Sequence, residues 1–432
     1  MKGRLLALGA CSALLVGVAC SPVPELLRKG DAFAAQGKYE EAFKAYAQAD
    51  RHESESNEAL CRAGALNLKI ERPDHALKAF EQAVEKVPGS ARAYVGMARS
   101  YMAKGVDTTA IQSLDRASKL DPDNADTFFL RGLILKKQGQ SEQAMRMFDE
   151  AIRRQPRHTD AHLKRGDIYF SEGKLKKAMR AYSLAVASDN NCVEALIQVG
   201  RTYLLAGKPD KAISALEKAV GRGHHNAWAH YYLGEALLAK GEQEKAVVSL
   251  RRALRLNHKL GRAYVLLGEI YERNLLRDKA HDAYMRAVRA EPDYLAGYTN
   301  LARVQLDRKS ENDARRTLRR ALDVDPDCIP CRVLLGRLYV ENGKYKSAIE
   351  VLDIVIQKDY QNNDAHYFIG KAYVELGMIA KATAEYNALA MANDERAAEL
   401  LGLLERKAQP TPTRRPRTRK KRRRKRRRRR KR

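Results

Sequence analysis

The 432-residue sequence has few helix-breaking residues and lacks the patterns that mark common catalytic centres. It contains 13 Pro and 27 Gly, and its commonest apolar residues are Ala and Leu, a balance that favours helices over sheets. It contains no glycine-rich phosphate loop, no nucleophile elbow and no leftover segment large enough for a catalytic domain. We therefore expect a non-enzymatic protein with no catalytic residue and no cofactor.

Cysteine is also scarce, with six residues in the whole chain. Only Cys328 and Cys331 are close together, in the motif CIPC, so the sequence has no disulfide framework. A redox dithiol would need strands around a crossover helix, and a zinc site would need a second cysteine pair. We expect these two cysteines to be packed thiols or a local disulfide. His224, His225 and His230 have no carboxylate or cysteine to join them, so no metal site is predicted.

Long hydrophobic runs are absent from the body of the chain, but one lies at the N-terminus. Lys2 and Arg4 precede an apolar stretch from Leu5 to Val18, which is the order of a secretory signal. No later run approaches the ~20 apolar residues that a membrane-spanning helix requires. The pattern predicts a signal peptide over residues 1–19.

A cysteine, Cys20, directly follows the small-residue sequence Gly17-Val18-Ala19. This arrangement resembles the cleavage site of bacterial lipoproteins, with the departure that Gly17 occupies a position where that family usually has Leu. The resemblance implies that Cys20 becomes the lipidated N-terminus and that residues 20–22 begin the membrane-anchored protein. The alternatives are cleavage by the ordinary signal peptidase after Ala19 and an uncleaved anchor.

Acidic residues are absent from residues 408–432, of which 17 are Lys or Arg. This tail carries most of the formal net charge of +28, and without apolar residues to bury we expect it to be disordered. Such a segment binds polyanions by releasing counterions. The expected polyanion-binding residues are Arg422, Arg423, Arg424, Arg426, Arg427 and Arg428. If the chain is exported, the polyanion would be anionic lipid, lipopolysaccharide or acidic polysaccharide. If it stays in the cytosol, the polyanion would be nucleic acid. Alternatively, the run is low-complexity sequence without function.

The body of the chain is one unit repeated eleven times at a spacing of 34 residues, with no insertion. A small residue recurs at Gly30, Gly64, Ala98, Gly132, Gly166, Gly200, Gly234, Gly268, Ala302, Gly336 and Gly370. An alanine always follows twelve residues later, from Ala42 to Ala382. Between the two, eight copies have a Gly and three have Glu71, Leu275 or Lys309. A Gly there ends a helix in the left-handed conformation, so each unit is predicted to be two helices joined by a tight turn.

This pattern resembles the tetratricopeptide repeat (TPR). The resemblance covers residues 23–396 in eleven repeats, which are 23–56, 57–90, 91–124, 125–158, 159–192, 193–226, 227–260, 261–294, 295–328, 329–362 and 363–396. It implies an all-α fold, an α-solenoid wound into a right-handed superhelix. Residues 397–407 are predicted to form a helix that caps the last repeat, because their apolar side chains form one stripe. The residues of this stripe are Ala397, Leu400, Leu401 and Leu404.

By the same resemblance, the first helix of every repeat lines a concave groove and presents positions 2, 5, 9, 12 and 13 to it. Fifth positions are nearly all apolar and ninth positions are mostly charged, which suits an extended peptide or a partner helix. The candidate binding residues are Arg99, Phe129, Asp167, Arg201, Trp228, Tyr231, Glu235, Glu269, Arg303, Arg337, Tyr367 and Lys371. The alternatives are that fifth-position side chains pack against the adjacent helix and that Trp228 is half-covered by its own repeat junction.

Together these features predict an exported scaffold of the bacterial cell envelope, facing the periplasm. Cys20 would tether it to a membrane, the groove would hold a partner protein, and the tail would rest on an anionic surface. By resemblance, TPR lipoproteins serve in outer-membrane protein assembly, pilus biogenesis and polysaccharide export, and the sequence does not choose among these. The alternative is a cytosolic TPR adaptor whose tail binds nucleic acid. Neither hypothesis involves a small-molecule substrate or a metal.

Overall fold

The computed structural model describes residues 22–52 and 55–408, which form 23 α-helices and no β-strand. The chain divides into two compact units, Met1–Ala206 and Gly207–Arg432. None of the described helices is both long and apolar enough to cross a membrane. The predicted signal peptide, Cys20 and the six tail arginines lie outside the described residues.

The first unit contains eleven described helices arranged as five hairpins and a single helix. They are α1 Val23–Ala35, α2 Tyr39–His52, α3 Glu58–Lys69, α4 Pro73–Lys86, α5 Ala91–Ala103, α6 Asp107–Leu120, α7 Ala125–Lys137, α8 Ser141–Arg154, α9 Thr159–Ser171, α10 Leu175–Ser188 and α11 Val193–Leu205. Each odd-numbered helix from α1 to α9 packs against the helix that follows it, and each second helix packs against the first helix of the next hairpin. This stepwise packing is that of an α-solenoid.

The second unit begins with a single helix, continues as five hairpins and ends with another single helix. These are α12 Pro209–Arg222, α13 Ala227–Lys240, α14 Gln243–Leu256, α15 Gly261–Arg273, α16 Arg277–Ala290, α17 Leu295–Asp307, α18 Glu311–Val324, α19 Ile329–Glu341, α20 Tyr345–Lys358, α21 Asn363–Glu375, α22 Ile379–Met391 and α23 Arg396–Ala408. The hairpins α13–α14 to α21–α22 stack on one another as in the first unit. The expected all-α fold with solenoid packing is therefore confirmed.

The turn inside each described hairpin is left-handed, as the spacing predicts. Gly139, for example, joins α7 to α8 with a φ of +79°, and the amide of Gln140 donates to the carbonyl of Leu135. Where Gly is missing, Glu71, Leu275 and Lys309 adopt the same conformation with φ of 58° to 59°. These three residues adopt a backbone conformation that L-residues disfavour. The packing of the helices on both sides therefore determines the conformation of the turn.

In seven of the described hairpins, a glycine on the first helix faces a large side chain on the second. A Cβ added to Gly132 would lie 2.5 Å from a ring carbon of Phe148, and that ring is completely buried. Gly166 meets the ring of Tyr182 at the same distance, and Gly268 meets Tyr284. The close approach of the two backbones therefore depends on the absence of a side chain at the small position.

The last helix, α23, packs against α21 and α22. Ala397, Leu400 and Leu404 are buried there, and Leu400 covers Gly370 on α21. Leu401 is exposed, so its prediction as part of the buried stripe was wrong. Spacings of three and four residues keep the three buried side chains on one face, whereas Leu401 is rotated by a full helical step, about 100°, from Leu400.

The two neighbouring cysteines form a disulfide, Cys328–Cys331, at the start of α19. This is one of the two alternatives that the sequence left open. Both residues are buried in the junction between α18 and α19, together with Leu318 and Leu335. Cys61 and Cys192 are free thiols, and burial raises the pKa of each.

Candidate functional site

Three aromatic residues predicted to face a groove are instead buried within hairpin junctions. Phe129, Tyr231 and Tyr367 are each exposed by no more than 7%. The Phe129 ring lies 4.9 Å from the ring of His158 and 5.8 Å from that of Phe148. These rings fill the space between neighbouring helices, so the packing alternative describes them and the expectation of an open contact surface is corrected.

Several charged residues at the ninth position of a first helix form ion pairs with the adjacent hairpin. Arg99 contacts Asp126 at 2.9 Å, and Arg337 contacts Asp307 at 3.0 Å. Arg337 also contacts Glu341 on its own helix at 2.8 Å. Because such exposed pairs contribute little free energy, we interpret them as a solvated row along the first helices rather than as binding anchors.

Other ninth-position residues bond to aromatic side chains of their own unit. The hydroxyl of Tyr182 donates to Asp167 at 3.0 Å, and the guanidinium of Arg201 lies 4.9 Å from the centre of the Phe170 ring. Lys371 donates to the hydroxyl of Tyr367 at 3.1 Å. Asp167, Arg201 and Lys371, which were predicted to bind a partner, therefore contact side chains of this protein itself.

Arg303 is held most firmly, because it binds one carboxylate with two nitrogens. Its Nη1 and Nη2 donate to the two oxygens of Glu272 at 2.9 and 2.7 Å. The hydroxyl of Tyr284 donates to the same carboxylate at 2.6 Å, and this bond ties α16 to the junction of α15 and α17. The two hydrogen-bonded side chains hold the pKa of Glu272 below its usual value despite burial. Arg303 therefore has a structural role here.

One predicted residue, Trp228, is exposed and surrounded by aromatic and charged side chains. It is 39% exposed, and its ring stacks on Tyr232 with centres 5.9 Å apart and planes 26° apart. The guanidinium of Arg262 lies 6.0 Å from the Trp228 ring centre and 4.9 Å from that of Tyr294. Trp228 is therefore about half-covered, which agrees with the alternative stated above, and the rest of its surface is open to solvent.

Two predicted carboxylates, Glu235 and Glu269, lie near this aromatic cluster. Their negative charges help to raise the pKa of the Tyr294 hydroxyl, although burial is the larger cause. Burial also raises the pKa of Glu269, although the positive charges of Arg273 and Arg303 act in the opposite direction. We call this surface the Trp228 patch and define it by Trp228, Tyr232, Glu235, Arg262, Glu269 and Tyr294.

The patch combines residues that the sequence identified with residues that it missed. Arg262 stands at the second position of its repeat, a position already expected to face the groove, so the pattern could have revealed it. It donates to Glu291 at 3.2 Å, which fixes the guanidinium between the rings of Trp228 and Tyr294. Tyr294 stands at the last position of a repeat and gave no such signal.

Sequence reasoning also missed a role of buried histidines at the fourth position of a repeat. The Nε2 atoms of His162, His230 and His366 donate to backbone carbonyls six residues earlier, at 2.9, 3.2 and 2.8 Å. Each bond closes the loop that precedes a first helix. Burial lowers the pKa of His162 and His230. His224 lies in such a loop, and no cluster of metal-binding side chains occurs among the described residues.

Stacked helical hairpins of constant length with an exposed first-helix face define a helical repeat protein. Family models described as tetratricopeptide repeat or TPR repeat match the chain over 98–139, 129–191, 203–272, 261–294 and 333–401. These segments together cover more than half of the sequence. The chain therefore belongs to the TPR family.

Solved structures include several similar chains. The crystal structure of MamA is 31% identical, with a TM-score of 0.32 over 37% of this chain and 94% of that one. PilF of Pseudomonas aeruginosa is 16% identical, with a TM-score of 0.45 over 50% of this chain and 97% of that one. Yeast Tom70 is 16% identical, with a TM-score of 0.46 over 89% of this chain and 95% of that one. A comparison with curated proteins gave no match.

TPR proteins are in general non-enzymatic scaffolds for protein–protein interaction. Family membership therefore assigns this chain to the class of interaction scaffolds, and nothing in the described residues points to catalysis.

Proposed function

We propose that this protein is a membrane-anchored scaffold that binds a partner protein at the Trp228 patch. The exposed, stacked Trp228 is the observation that carries the proposal. Trp, Tyr and Arg are the residues that most often dominate binding energy at protein interfaces, and here all three types meet on one surface. The stacked geometry holds the Trp228 ring in place before binding, which reduces the entropy lost on association.

The carboxylates of the patch indicate the chemistry of the partner. Glu269 is partly desolvated with a raised pKa, so a cation from outside would find a carboxylate that its own fold leaves incompletely neutralised. Arg262 is already engaged by Glu291. A partner segment with an apolar or aromatic residue next to Lys or Arg would place the first on Trp228 and the second beside Glu269.

Affinity capture with the full chain tests this proposal. Proteins retained by the wild type from solubilised envelope are compared by quantitative mass spectrometry with those retained by Trp228→Ala and Glu269→Lys. We expect the same partner to be lost from both variants. Tyr360→Ala is the matched control, because Tyr360 is an aromatic residue of the same unit that is 71% exposed and lies outside the patch. Equal capture by all four proteins would contradict the proposal.

Membrane attachment through Cys20 is the second part of the proposal. It is supported by the basic residues, apolar run and small residues that precede this cysteine. Cells expressing the wild type or Cys20→Ala are labelled with a palmitate analogue and fractionated. We expect label and membrane fractionation in the wild type and loss of label in the variant. An unlabelled wild-type protein would exclude lipidation.

The basic tail at residues 408–432 supports both this proposal and its alternative. In the envelope, residues such as Arg422 would add attraction for an anionic surface of about 1 kcal/mol each to the acyl anchor. In the cytosol, the same 17 Lys and Arg would bind nucleic acid, which makes an adaptor the second candidate function. Salt-sensitive co-purification of nucleic acid with an unlabelled protein would favour that second function. The remaining residues assigned to polyanion binding are Arg423, Arg424, Arg426, Arg427 and Arg428.

A further inference from the structure

A groove of about 780 Å³ lies between the second helices of two successive hairpins in the second unit. One wall is formed by α14, the other by α16, and side chains of α15 lie between them. We call it the α14–α16 groove. The Trp228 patch is formed by first helices and the loop before α17, so the two surfaces share only α15. None of the binding residues predicted from the sequence lines this groove.

One wall of the groove exposes an apolar side chain where nine of the other ten repeats are polar. Val248 is 66% exposed. The equivalent residues of the other ten repeats are Lys44, Lys78, Gln112, Arg146, Arg180, Ser214, Asp282, Arg316, Glu350 and Ala384. A large apolar residue therefore occupies this solvent-facing position in one repeat of eleven. It extends the apolar surface that Leu254, Leu267 and Ala283 contribute to the groove.

The rim of the groove is strongly basic. Arg251 and Arg255 project from α14, and Lys279 and Arg286 project from α16, against a single carboxylate, Asp282. Within residues 22–52 and 55–408, none of the four cations lies within ion-pairing distance of a carboxylate. Arg251 instead donates to the hydroxyl of Tyr271 at 3.3 Å. An apolar centre between two cationic walls is complementary to an apolar segment flanked by carboxylates.

The length of the two walls sets the length of partner segment that the groove can hold. On each wall the lining residues follow one face of a helix, from Val248 to Arg255 on α14 and from Lys279 to Arg286 on α16. Seven residues of helix span about 10 Å, which is two helical turns. An amphipathic helix packed there would present carboxylates to both walls and an apolar stripe to the centre.

We propose that the α14–α16 groove binds an acidic amphipathic helix of a partner protein, independently of the Trp228 patch. A single chain would then hold two partner segments of opposite charge on different faces of its hairpins. The apolar centre favours such a helix over a simple anion, which would gain nothing from Val248 or Leu254.

Photo-crosslinking with a defined probe tests the proposal in the full chain. The probe is a four-turn amphipathic peptide of Glu, Ala and Leu that carries one photoreactive leucine, and crosslinked residues are mapped by mass spectrometry. We expect crosslinks on α14, α15 and α16 and a reduction of at least tenfold in Arg255→Glu/Arg286→Glu. The milder Arg255→Gln/Arg286→Gln variant should show a smaller reduction with unchanged circular dichroism. Val248→Ser should also weaken crosslinking, because it removes the apolar contact without changing the charge of the groove.

Controls separate the groove from general attraction between the acidic probe and a basic protein. Arg116→Glu/Lys119→Glu makes the same charge change at matching repeat positions of α6 and should leave groove crosslinking within twofold. Crosslinks to the tail peptides should be unaffected by any groove variant. A probe with Lys in place of Glu should give no groove crosslinks.

Three outcomes would overturn the proposal. The first is crosslinking confined to the tail, and the second is groove crosslinking that the Arg255→Glu/Arg286→Glu variant leaves unchanged. The third is displacement of the probe from the groove by phosphatidylglycerol vesicles but not by excess unlabelled acidic peptide, which would identify a lipid surface as the ligand. A Trp228→Ala protein that keeps its groove crosslinks would show that the two surfaces act separately.

Discussion

Replacing Leu275 with Gly should stabilise the hairpin α15–α16. Leu275 occupies the turn with a φ of 59°, and its side chain is 79% exposed. The left-handed conformation costs an L-residue about 1–2 kcal/mol. Gly removes that cost but adds about 0.4–1 kcal/mol of conformational entropy to the unfolded chain. The expected net stabilisation is about 0.5–1 kcal/mol, because little buried surface is lost with the leucine.

Amide hydrogen exchange of the full chain is the appropriate assay, because repeat arrays open locally as well as globally. Peptides from α15 and α16 should exchange about two- to fivefold more slowly in Leu275→Gly. The control Leu275→Ala shortens the side chain but keeps the strained backbone, so its exchange should match the wild type. Gly139→Ala should give the opposite effect, faster exchange in α7 and α8, because alanine disfavours the φ of +79° at this position. An added Cβ would meet nothing within 4 Å, so the effect would come from the backbone and not from a clash.

The comparison of these variants can refute the reasoning. If Leu275→Ala slows exchange as much as Leu275→Gly, the exposed leucine and not the backbone is the source of the penalty. If Gly139→Ala leaves exchange unchanged, the left-handed turn is not under the conformational constraint that its φ indicates.

Three further predictions concern the core, a loop and the binding face, and each is checked by thermal unfolding of the full chain. Gly132→Ala should destabilise the fold by about 1–3 kcal/mol, because the new Cβ would lie 2.5 Å from the buried Phe148 ring; an unchanged midpoint would show that the ring can move. The pKa of His162 in the folded state lies below its usual 6.5, so the unfolded state binds a proton at a higher pH than the folded state does. The free energy of unfolding should therefore be highest above pH 6.5 and fall as the pH is lowered through that value. His162→Gln should make the free energy of unfolding depend less on pH in this range. Glu269 has a raised folded-state pKa, so its charge costs stability above its unfolded pKa. Glu269→Gln should therefore unfold at a higher temperature at pH 7, and the gain should vanish as the pH falls below the range in which the carboxylate ionises; a lower midpoint at pH 7 would contradict this sign.

The hairpins were predictable because a 34-residue period fixes every turn and every close helix contact at once. The turn residues Glu71, Leu275 and Lys309 illustrate this, since the phase of the repeat alone placed them at a turn, where the structure shows them in the left-handed conformation. Single-residue preferences would have argued against all three. Leu401 shows the limit of pattern reasoning, because an apolar residue next to a buried one can belong to either edge of a stripe.

The binding face was only partly predictable. Both sides of a first helix contact neighbours, so an apolar residue at the fifth position can serve a junction or a ligand, and Tyr231 serves a junction. Trp228 was identified because it is unique in the chain and stands at a groove position. The α14–α16 groove was missed because its four cations come from two helices, and no motif connects Arg255 with Arg286. Comparison of equivalent positions across the repeats would have revealed Val248.

The repeated contact between the two helices of a hairpin also bears on how the gene encoding this chain can change. Gly132 and Gly166 precede the buried rings of Phe148 and Tyr182 by the same sixteen residues, and each meets its ring at the same distance. Unequal recombination between the two glycine codons would remove 34 residues and leave Gly166 paired with Tyr182, a complete contact. The array can therefore be lengthened or shortened by whole hairpins while this contact is kept, whereas an insertion of any other length leaves a small residue opposite the wrong side chain.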